Sequence, residues 1–351
     1  MTAERAIDVV DLEKHFTVWR REGRLRRERR QVEAVAGVSF EVARGEMLGY
    51  VGPNGAGKST TIKMLTGVLV PTSGRVHVHG LVPAQQRVRL AREIGVVFGQ
   101  RSLLWWDLPL QESFRLLRHI YGVDAGAHAE RLAECRELLE LDAFLATPVR
   151  QLSLGQRMRG ELTAALLHDP AVLFLDEPTI GLDVVSKSRV RTFLADLNAR
   201  RKTTVLLTTH DLADIERLCS RLLIIDHGRV IYDGALDALR ERHGTARTVV
   251  VDFTDEIAPV DVAPATVVKV DGPRQWLRFQ RDELTASELI ARVVARYAVR
   301  DLTIEEPAVE DIVRDIYTGD VALDSASADP PAPPAAGATP NASGDQPASS
   351  P

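Results

Sequence analysis

Cysteine, aromatic residues and long apolar segments are all scarce in this chain, and each scarcity excludes a class of protein. Cys135 and Cys219 are the only two cysteines among 351 residues. They lie far apart and without metal-ligand spacing, so we expect reduced, packed thiols rather than disulfides or a zinc site. No apolar run approaches the roughly 18 to 20 residues that span a bilayer, and the N-terminus lacks a signal peptide's apolar core.

A large excess of charge of one sign is also missing. Lysine and arginine number 44 against 49 acidic residues, which leaves a net charge of −5. That balance gives no general attraction to nucleic acid. The 45% of hydrophobic residues suffices for a sizeable core, and the length leaves room for two domains. Composition therefore predicts a soluble enzyme of the cytosol.

What the chain does contain is a complete phosphate-binding pattern in residues 52–60, GPNGAGKST. Gly52, Gly57, Lys58 and Ser59 occupy the specified positions of G-x-x-x-x-G-K-[ST], between a predicted strand and a predicted helix. Glycines let backbone N–H groups surround an anion at the helix N-terminus. The lysine can reach the β- and γ-phosphates, and the serine hydroxyl can bind Mg²⁺. The loop predicts a nucleoside triphosphate as ligand.

Three segments downstream narrow the class of NTPase. Residues 171–177, AVLFLDE, form an apolar run typical of a central parallel strand that ends in Asp176 and Glu177. The first carboxylate suits the metal and the second suits the attacking water. Residues 152–156, LSLGQ, precede a helix whose N-terminal N–H groups can bind another anion. A strand rich in β-branched residues ends at His210.

Taken together, these segments closely resemble the nucleotide-binding subunits of ATP-binding-cassette (ABC) transporters. The resemblance runs from residue 7 to about residue 243 and includes six motifs in the family's order. They are Walker A at residues 52–60, the Q-loop glutamine Gln100, the signature at residues 152–156, Walker B at residues 173–177, the D-loop at residues 181–183 and the switch histidine His210.

The resemblance implies an α/β fold, a P-loop NTPase cassette in residues 1–244. Its parts are a RecA-like core, an antiparallel β subdomain and a helical subdomain at about residues 101–150. The implied cofactors are ATP and Mg²⁺, with Lys58, Glu177 and His210 as catalytic residues. The metal would be held by Ser59, Gln100 and Asp176. The implied nucleotide-binding residues are Phe16, Gly52, Pro53, Asn54, Gly55, Ala56, Gly57, Lys58, Ser59, Thr60, Gln100, Ser153, Gly155, Gln156 and Asp183.

Two details of this implied site leave alternatives open. Phe16 stands where the family's aromatic residue stacks on adenine, but a core phenylalanine is a second interpretation and Trp19 is a rival for the stacking role. The signature also departs from the usual LSGGQ, because Leu154 replaces the first glycine. Ser153 and Gly155 are retained, so we expect nucleotide binding to persist, with the backbone geometry at residue 154 in question.

Beyond the cassette, the pattern restarts and predicts a small α+β accessory domain in residues 248–318. Thr285 and Glu288 form a capping box for one helix, and Pro307 opens a last amphipathic helix. Such extensions resemble those of ATPases that pair with ABC-2-type exporters. Residues 319–351 are dominated by Ala, Pro, Ser, Gly and Asp, a composition that predicts disorder.

The resemblance also implies partners. These are a second cassette in a homodimer and a separate integral membrane permease, which the resemblance suggests is of ABC-2 type, at the inner face of the cell membrane. Trp105, Trp106 and Leu108 are candidates for the permease contact or, equally, for the core. The implied function is ATP hydrolysis that powers translocation, with export favoured.

A nucleic-acid-associated ABC ATPase is the alternative function. Chromosome-organising ATPases insert long coiled coils between Walker A and the signature, and Lys58 and Ser153 are too close for one. Excision-repair ATPases need more than two cysteines for zinc, and translation factors usually carry two cassettes. We therefore expect no nucleic-acid partner.

Residues 20–30, RREGRLRRERR, interrupt the usual cassette with a dense basic run. A solvated loop is the first interpretation of such a run. Contact with anionic lipid head groups is the second, because a docked cassette lies near the membrane surface. Nucleic-acid binding is a weaker third, since no aromatic residue is interleaved.

Overall fold

The computed structural model describes residues 5–22, 26–99, 102–243, 246–305 and 309–318, and within them the strands form three β-sheets. The strands are β1 (Arg5–Glu22), β2 (Arg26–Ala43), β3 (Met47–Val51), β4 (Ser73–Val78), β5 (Ile94–Phe98), β6 (Val172–Asp176), β7 (Thr204–Thr208), β8 (Arg221–Asp226), β9 (Arg229–Ala235), β10 (Ala246–Phe253), β11 (Thr266–Asp271), β12 (Arg274–Gln280) and β13 (Val299–Glu305).

The helices alternate with these strands through the first part of the chain and flank the third sheet. They are α1 (Lys58–Leu65), α2 (Arg87–Glu93), α3 (Leu110–Tyr121), α4 (Ala125–Leu138), α5 (Leu154–Leu166), α6 (Val184–Arg201), α7 (Leu212–Leu218), α8 (Leu236–His243), α9 (Ala286–Arg296) and α10 (Val309–Thr318). Of the helices in these ranges, none has both the length and the apolar character needed to cross a membrane.

The central sheet has six strands in the order β5-β6-β7-β3-β8-β9. Its first five strands are parallel and β9 is antiparallel to β8. Every residue of β3 and β7 is buried, which explains their largely apolar sequences, since a parallel strand covered on both faces has no polar side. The predicted α/β class is confirmed, and the sheet brings the carboxyl ends of β3, β6 and β7 to one edge.

A second sheet, in the order β2-β1-β4, is antiparallel. Strands β1 and β2 pair along a long hairpin whose last register pair is Glu22 with Arg26, whereas β4 pairs with β1 only between Ile7 and Glu13. The described residues of the basic run, 20–22 and 26–30, therefore all lie in β-strands. The loop expected from composition is wrong for these residues, because charge content does not report backbone pairing, and antiparallel pairing satisfies their backbone.

The segment between the Q-loop position and the signature is largely helical, as its apolar periodicity predicts. The helices α3 and α4 pack against α5, the helix that follows the signature. Phe114 and Leu117 of α3 are buried in the same core as Leu162 of α5. Through α5, the helix that follows the signature, this packing joins the helical region to the rest of the cassette.

The third sheet, in the order β11-β12-β10-β13, is antiparallel and has a core of its own. The helix α9 covers one face and buries Leu289 and Val293. The predicted capping box is confirmed, since the Thr285 side chain accepts from the Glu288 N–H at 3.3 Å and the Glu288 carboxylate accepts from the Thr285 N–H at 3.0 Å. The limits of an accessory domain in this part of the chain stay a prediction.

The last described helix, α10, packs differently from the sequence-based expectation, which assigned it to the accessory domain. Val309, Ile312, Val313 and Ile316 belong to the cassette core, together with residues of α7 and α8. The N–H of Val309 donates to Glu216 of α7 at 3.0 Å. An amphipathic sequence predicts that one face is buried but not which surface covers it.

We predict that Ile312→Ala destabilises the cassette rather than the third sheet. Ile312 is 2% exposed, and truncation of such a side chain costs about 2–5 kcal/mol. Val294→Ala, on the outer face of α9, is the control and should change stability by less than about 0.5 kcal/mol. Urea unfolding is measured with and without Mg-ATP. The transition whose midpoint Mg-ATP raises is assigned to the cassette, and the other to the third sheet. If Ile312→Ala moved only the other transition, the assignment of α10 to the cassette would be wrong.

Candidate functional site

The predicted phosphate loop connects β3 to α1 and is held tightly between other strands. Gly57 has a φ of 106° and Gly55 a φ of 86°, both in the left-handed region that favours glycine. A Cβ on Gly57 would lie 2.5 Å from the Ala34 carbonyl oxygen, and one on Gly52 would lie 2.5 Å from the Ile225 carbonyl oxygen. Glycine is therefore required at Gly57 by both backbone conformation and space, and at Gly52 by space.

The remaining residues of the loop divide between anchors and exposed groups. Ala56 is buried, and its carbonyl oxygen accepts from the Gly228 N–H at 3.0 Å. Asn54, Gly55 and Ser59 are exposed, whereas Pro53 and Thr60 are partly buried. The loop is thus fixed from behind while its outer side remains accessible to a ligand.

Lys58 folds back along this loop. Its side chain is largely buried, and Nζ donates to the carbonyl oxygens of Gly52 at 2.5 Å and Pro53 at 3.1 Å. Burial lowers the pKa of Lys58, although the negative charges of Glu177 and Asp176 oppose that shift. The ammonium group therefore lies within electrostatic reach of both predicted carboxylates.

Tyr50 and Thr61 support the phosphate loop from the buried side, and neither had been predicted as a site residue. The Tyr50 hydroxyl donates to Thr61 Oγ1 at 3.2 Å, and the Thr61 hydroxyl donates to the Gly57 carbonyl oxygen at 3.1 Å. Both residues are fully buried. A polar residue within an apolar strand, such as Tyr50 in β3, was the available signal, because a buried hydroxyl needs a partner.

Asp176, Glu177 and His210 meet at the carboxyl ends of β6 and β7. Asp176 accepts from the Thr208 hydroxyl at 2.6 Å, and the Glu177 N–H donates to the Thr208 carbonyl oxygen at 2.9 Å. The backbone of Glu177 has a φ of 56°. His210 Nε2 lies 2.6 Å from Glu177 Oε1, which is hydrogen-bonding distance. The structure thus brings His210 beside Asp176 and Glu177, which the sequence places on a different segment.

A cavity of about 370 Å³ opens beside this group. Glu177 and His210 line it together with Lys187 of α6 and Glu310 of α10. The last helix of the described chain therefore reaches the border of the predicted catalytic group.

The signature residues Ser153 and Gln156 form a capping box at the start of α5. Gln156 N–H donates to Ser153 Oγ at 3.2 Å, and Ser153 N–H donates to Gln156 Oε1 at 2.9 Å. Leu154 is the first residue of the helix, so its backbone has ordinary helical geometry and the doubt about residue 154 is removed. Its side chain is 39% exposed and lies against Gly181.

The D-loop and the signature lie in contact. A Cβ on Gly155 would lie 2.5 Å from the Ser186 Oγ, so glycine lets α5 and α6 approach closely. Asp183 caps α6 by accepting from the Ser186 N–H at 2.9 Å and its hydroxyl at 2.6 Å, and these hydrogen bonds lower the pKa of Asp183. In this chain Asp183 therefore serves as a helix cap.

Of the remaining site candidates Phe16, Trp19 and Gln100, the structure describes the side chain of Phe16 only. Phe16 is partly buried and outside the three apolar cores, with the Lys14 ammonium 5.4 Å from its ring centroid. The core interpretation of Phe16 is therefore not favoured. Gln100 and the side chain of Trp19 lie outside the described residues.

The chain resembles ABC transporter proteins in sequence along most of its length. A family profile described as ABC transporter matches residues 35–180. The Nod factor export ATP-binding protein I of Burkholderia orbicola is 41% identical over 274 residues, which is 78% of this chain and 90% of that protein. A daunorubicin resistance ATP-binding protein of Streptomyces coeruleorubidus is 33% identical over 293 residues, 82% of this chain and 92% of that protein. The ABC transporter ATP-binding protein NatA of Bacillus subtilis is 32% identical over 218 residues, 62% and 88% of the two chains.

Solved structures show the same likeness. The ATP-binding subunit of an ABC transporter aligns with a TM-score of 0.58 at 29% identity and covers 68% of this chain and 93% of that structure. A dimeric bacterial ABC transporter cassette aligns with a TM-score of 0.57 at 26% identity and covers 66% and 98% of the two chains. The fold expected from the sequence, a P-loop ABC cassette, is confirmed.

We predict that Gly57→Ala destabilises the apoprotein more than Gly55→Ala does. Both substitutions force alanine into a left-handed conformation, which costs about 1–2 kcal/mol. Only the first also meets a backbone oxygen, because a Cβ on Gly55 has no atom within 4 Å. The difference should be about 1–3 kcal/mol in the free energy of unfolding, measured in urea without nucleotide. Equal losses would show that the loop moves away from Ala34 without cost.

Proposed function

This chain belongs to the ABC transporter family, and on that premise we propose that it is the ATPase subunit of an exporter whose permease is a separate membrane protein. The observation that carries the proposal is the contact of Glu177 with His210 beside Lys58 and Asp176. The names of two relatives, a Nod factor export protein and a daunorubicin resistance protein, support export as the direction. Both likenesses extend over more than three quarters of this chain.

Nucleotide binding begins at the phosphate loop. The N–H groups of the loop and of the α1 N-terminus bind the phosphates, and Lys58 exchanges the carbonyl oxygens of Gly52 and Pro53 for β- and γ-phosphate oxygens. The partly buried Phe16 is the proposed contact for adenine. The charge of the triphosphate offsets the burial of Lys58, so binding stabilises its protonated form.

The residues present also fit Mg²⁺. The exposed Ser59 hydroxyl and the Asp176 carboxylate are oxygen ligands of the kind that Mg²⁺ prefers, and Gln100 is proposed as a third. Mg²⁺ usually takes one or two protein ligands and completes its octahedron with phosphate oxygens and water, which suits this sparse set. The ion would neutralise charge on the transferred phosphoryl group.

Glu177 and His210 carry the proposed chemistry. The Glu177 carboxylate orients and polarises the attacking water, and the His210 imidazole, held 2.6 Å from that carboxylate, contacts the γ-phosphate side of the water. Thr208 contacts both acidic residues, because its hydroxyl donates to the Asp176 carboxylate and its carbonyl oxygen accepts from the Glu177 N–H.

A second copy of the chain is the proposed partner at the signature. Ser153, Gly155 and Gln156 lie at the start of α5, and Gln156 borders a separate cavity of about 520 Å³, away from Glu177 and His210. The adjoining surface is apolar and exposed, which favours burial by a partner. Its exposed residues are Leu154 (39%), Ile180 (52%), Val184 (83%) and Val185 (60%). Each chain contains both halves of a site, so a homodimer completes two.

The permease contact is proposed for the helical region, with the cassette held at the inner face of the membrane. Trp105 is 38% exposed and Trp106 is 52% exposed, which favours a contact role over a core role for both. Leu116 and Ile120 of α3 are also exposed. An ABC-2-type permease segment is the proposed partner, by the resemblance of the C-terminal extension to those of ATPases that pair with ABC-2-type exporters.

We predict that Glu177→Gln abolishes most ATP hydrolysis but not ATP binding. A residue that activates water contributes about 10²- to 10⁴-fold to the rate without holding the ligand. Steady-state hydrolysis and equilibrium binding of Mg-ATP measure the two effects. Glu310→Gln removes a charge from the same cavity and should keep the wild-type rate. Wild-type turnover by Glu177→Gln would remove Glu177 from the proposed role.

We further predict that Glu177→Gln forms a dimer when Mg-ATP is present and a monomer when it is absent. Blocked hydrolysis traps the state in which two copies enclose two nucleotides, because the signature of each supplies donors to the other. Light scattering at a series of concentrations measures the mass. A variant that stays monomeric with Mg-ATP, and gains mass only with a different cassette protein, indicates a heterodimer instead.

A further inference from the structure

The switch histidine lies in a short turn between β7 and α7, and its side chain is 44% exposed. A partly exposed imidazole needs a well-fixed backbone if it is to keep one position beside Glu177. The residues on both sides of it, Thr209 and Asp211, are joined to each other, because the Asp211 N–H donates to the Thr209 hydroxyl oxygen at 2.9 Å. What fixes this turn is a network of charged groups that the proposed chemistry does not use.

Asp214 of α7 is the centre of that network. The residue is completely buried, and its carboxylate accepts from three groups. They are the Thr209 hydroxyl at 3.2 Å, the Thr179 hydroxyl and the Arg191 guanidinium, the last two in shorter contacts. Thr179 follows Glu177 by two residues and Thr209 directly precedes His210. One carboxylate therefore holds the chain just after the proposed base and just before the proposed switch.

Asp211 anchors the other side of His210. It accepts from the Lys187 ammonium at 2.7 Å and from the Arg191 guanidinium at 3.2 Å. Burial raises the pKa of Asp211, but the hydrogen bond and charge of Lys187, with the charge of Arg191, outweigh it and leave the pKa lowered. The two carboxylates, Asp211 and Asp214, face two cations, so their charges balance. Both cations lie on α6.

We infer that Arg191 is a positioning residue for His210. Its guanidinium bridges Asp211 and Asp214, and a planar group with several donors can hold two carboxylates at once where a lysine ammonium holds them less precisely. Loss of this bridge would free the turn around His210, whereas the His210 imidazole, the Glu177 carboxylate and the phosphate loop would be chemically unchanged. The inference rests on the proposed role of His210 in hydrolysis.

The experiment compares Arg191→Gln in two backgrounds, the wild type and His210→Ala, by steady-state hydrolysis of Mg-ATP. In the wild type, kcat should fall about 10- to 100-fold, as expected when a catalytic group is misplaced by a fraction of its contact distance, with KM changed less than about 3-fold. In His210→Ala the same substitution should change the rate less than about 2-fold, because residues that act through one another are not additive. Arg191→Lys should recover part of the lost rate.

Arg201→Gln is the matched control. Arg201 also lies on α6 and also binds two carboxylates, those of Asp169 and Glu134, but neither flanks His210. Its replacement should leave kcat within about 2-fold of the wild type in both backgrounds. If Arg191→Gln fails to fold because Asp214 is left buried and unpaired, the double variant Arg191→Gln with Asp214→Asn removes both charges, and the same comparison applies to it.

Equal loss of rate in both backgrounds would overturn the inference, because it would mean that Arg191 supports the fold rather than the histidine. A wild-type rate for Arg191→Gln would overturn it as well. If His210→Ala itself hydrolysed ATP at the wild-type rate, the proposed role of His210 would fail instead. The two failures are therefore distinguishable.

Discussion

Parallel pairing of β3, β6 and β7 is the constraint on which the candidate site depends. The register aligns Asp176 with Thr208, so the residues that follow each strand leave the sheet at the same height. Glu177 and His210 then lie one and two residues beyond a shared edge, and Lys58 lies at the start of the helix that follows β3. The backbone hydrogen bonds of the sheet bring these segments together, so the side chains of the candidate site lie close to one another.

In the proposed site, the signature and the phosphate loop offer hydrogen-bond donors to an anion in different ways. The loop offers backbone N–H groups that a helix N-terminus leaves unpaired. In the signature, the capping box uses the hydroxyl oxygen of Ser153 and the amide oxygen of Gln156 as acceptors. A hydroxyl hydrogen and an amide NH₂ remain as donors, and donors are what a phosphate needs. Capping thus orders these side chains and leaves free the donors that the proposed nucleotide contact would use.

Much of this was predictable from the sequence where the signal is local. The strand–loop–helix arrangement around residues 52–60, the apolar strands and the Thr285 capping box depend on spacing and residue type alone, and they were predicted correctly. Three features depend on contacts between distant segments, and the sequence did not reveal them. The basic run joins a hairpin, α10 packs against the cassette, and Arg191 meets Asp211 and Asp214 across two helices. Residue type predicts that a charge needs a partner but does not say which residue supplies it.

The return of α10 to the cassette changes how the third sheet can move. The chain enters that sheet from α8 and leaves it toward α10, and both helices belong to the same apolar core. A segment attached to a core at both of its ends has fewer ways to move than one attached at a single end. One of those attachments is the hydrogen bond between Val309 and Glu216 on the helix directly after His210. A displacement of the third sheet would therefore reach α7, the helix that follows His210, through this hydrogen bond.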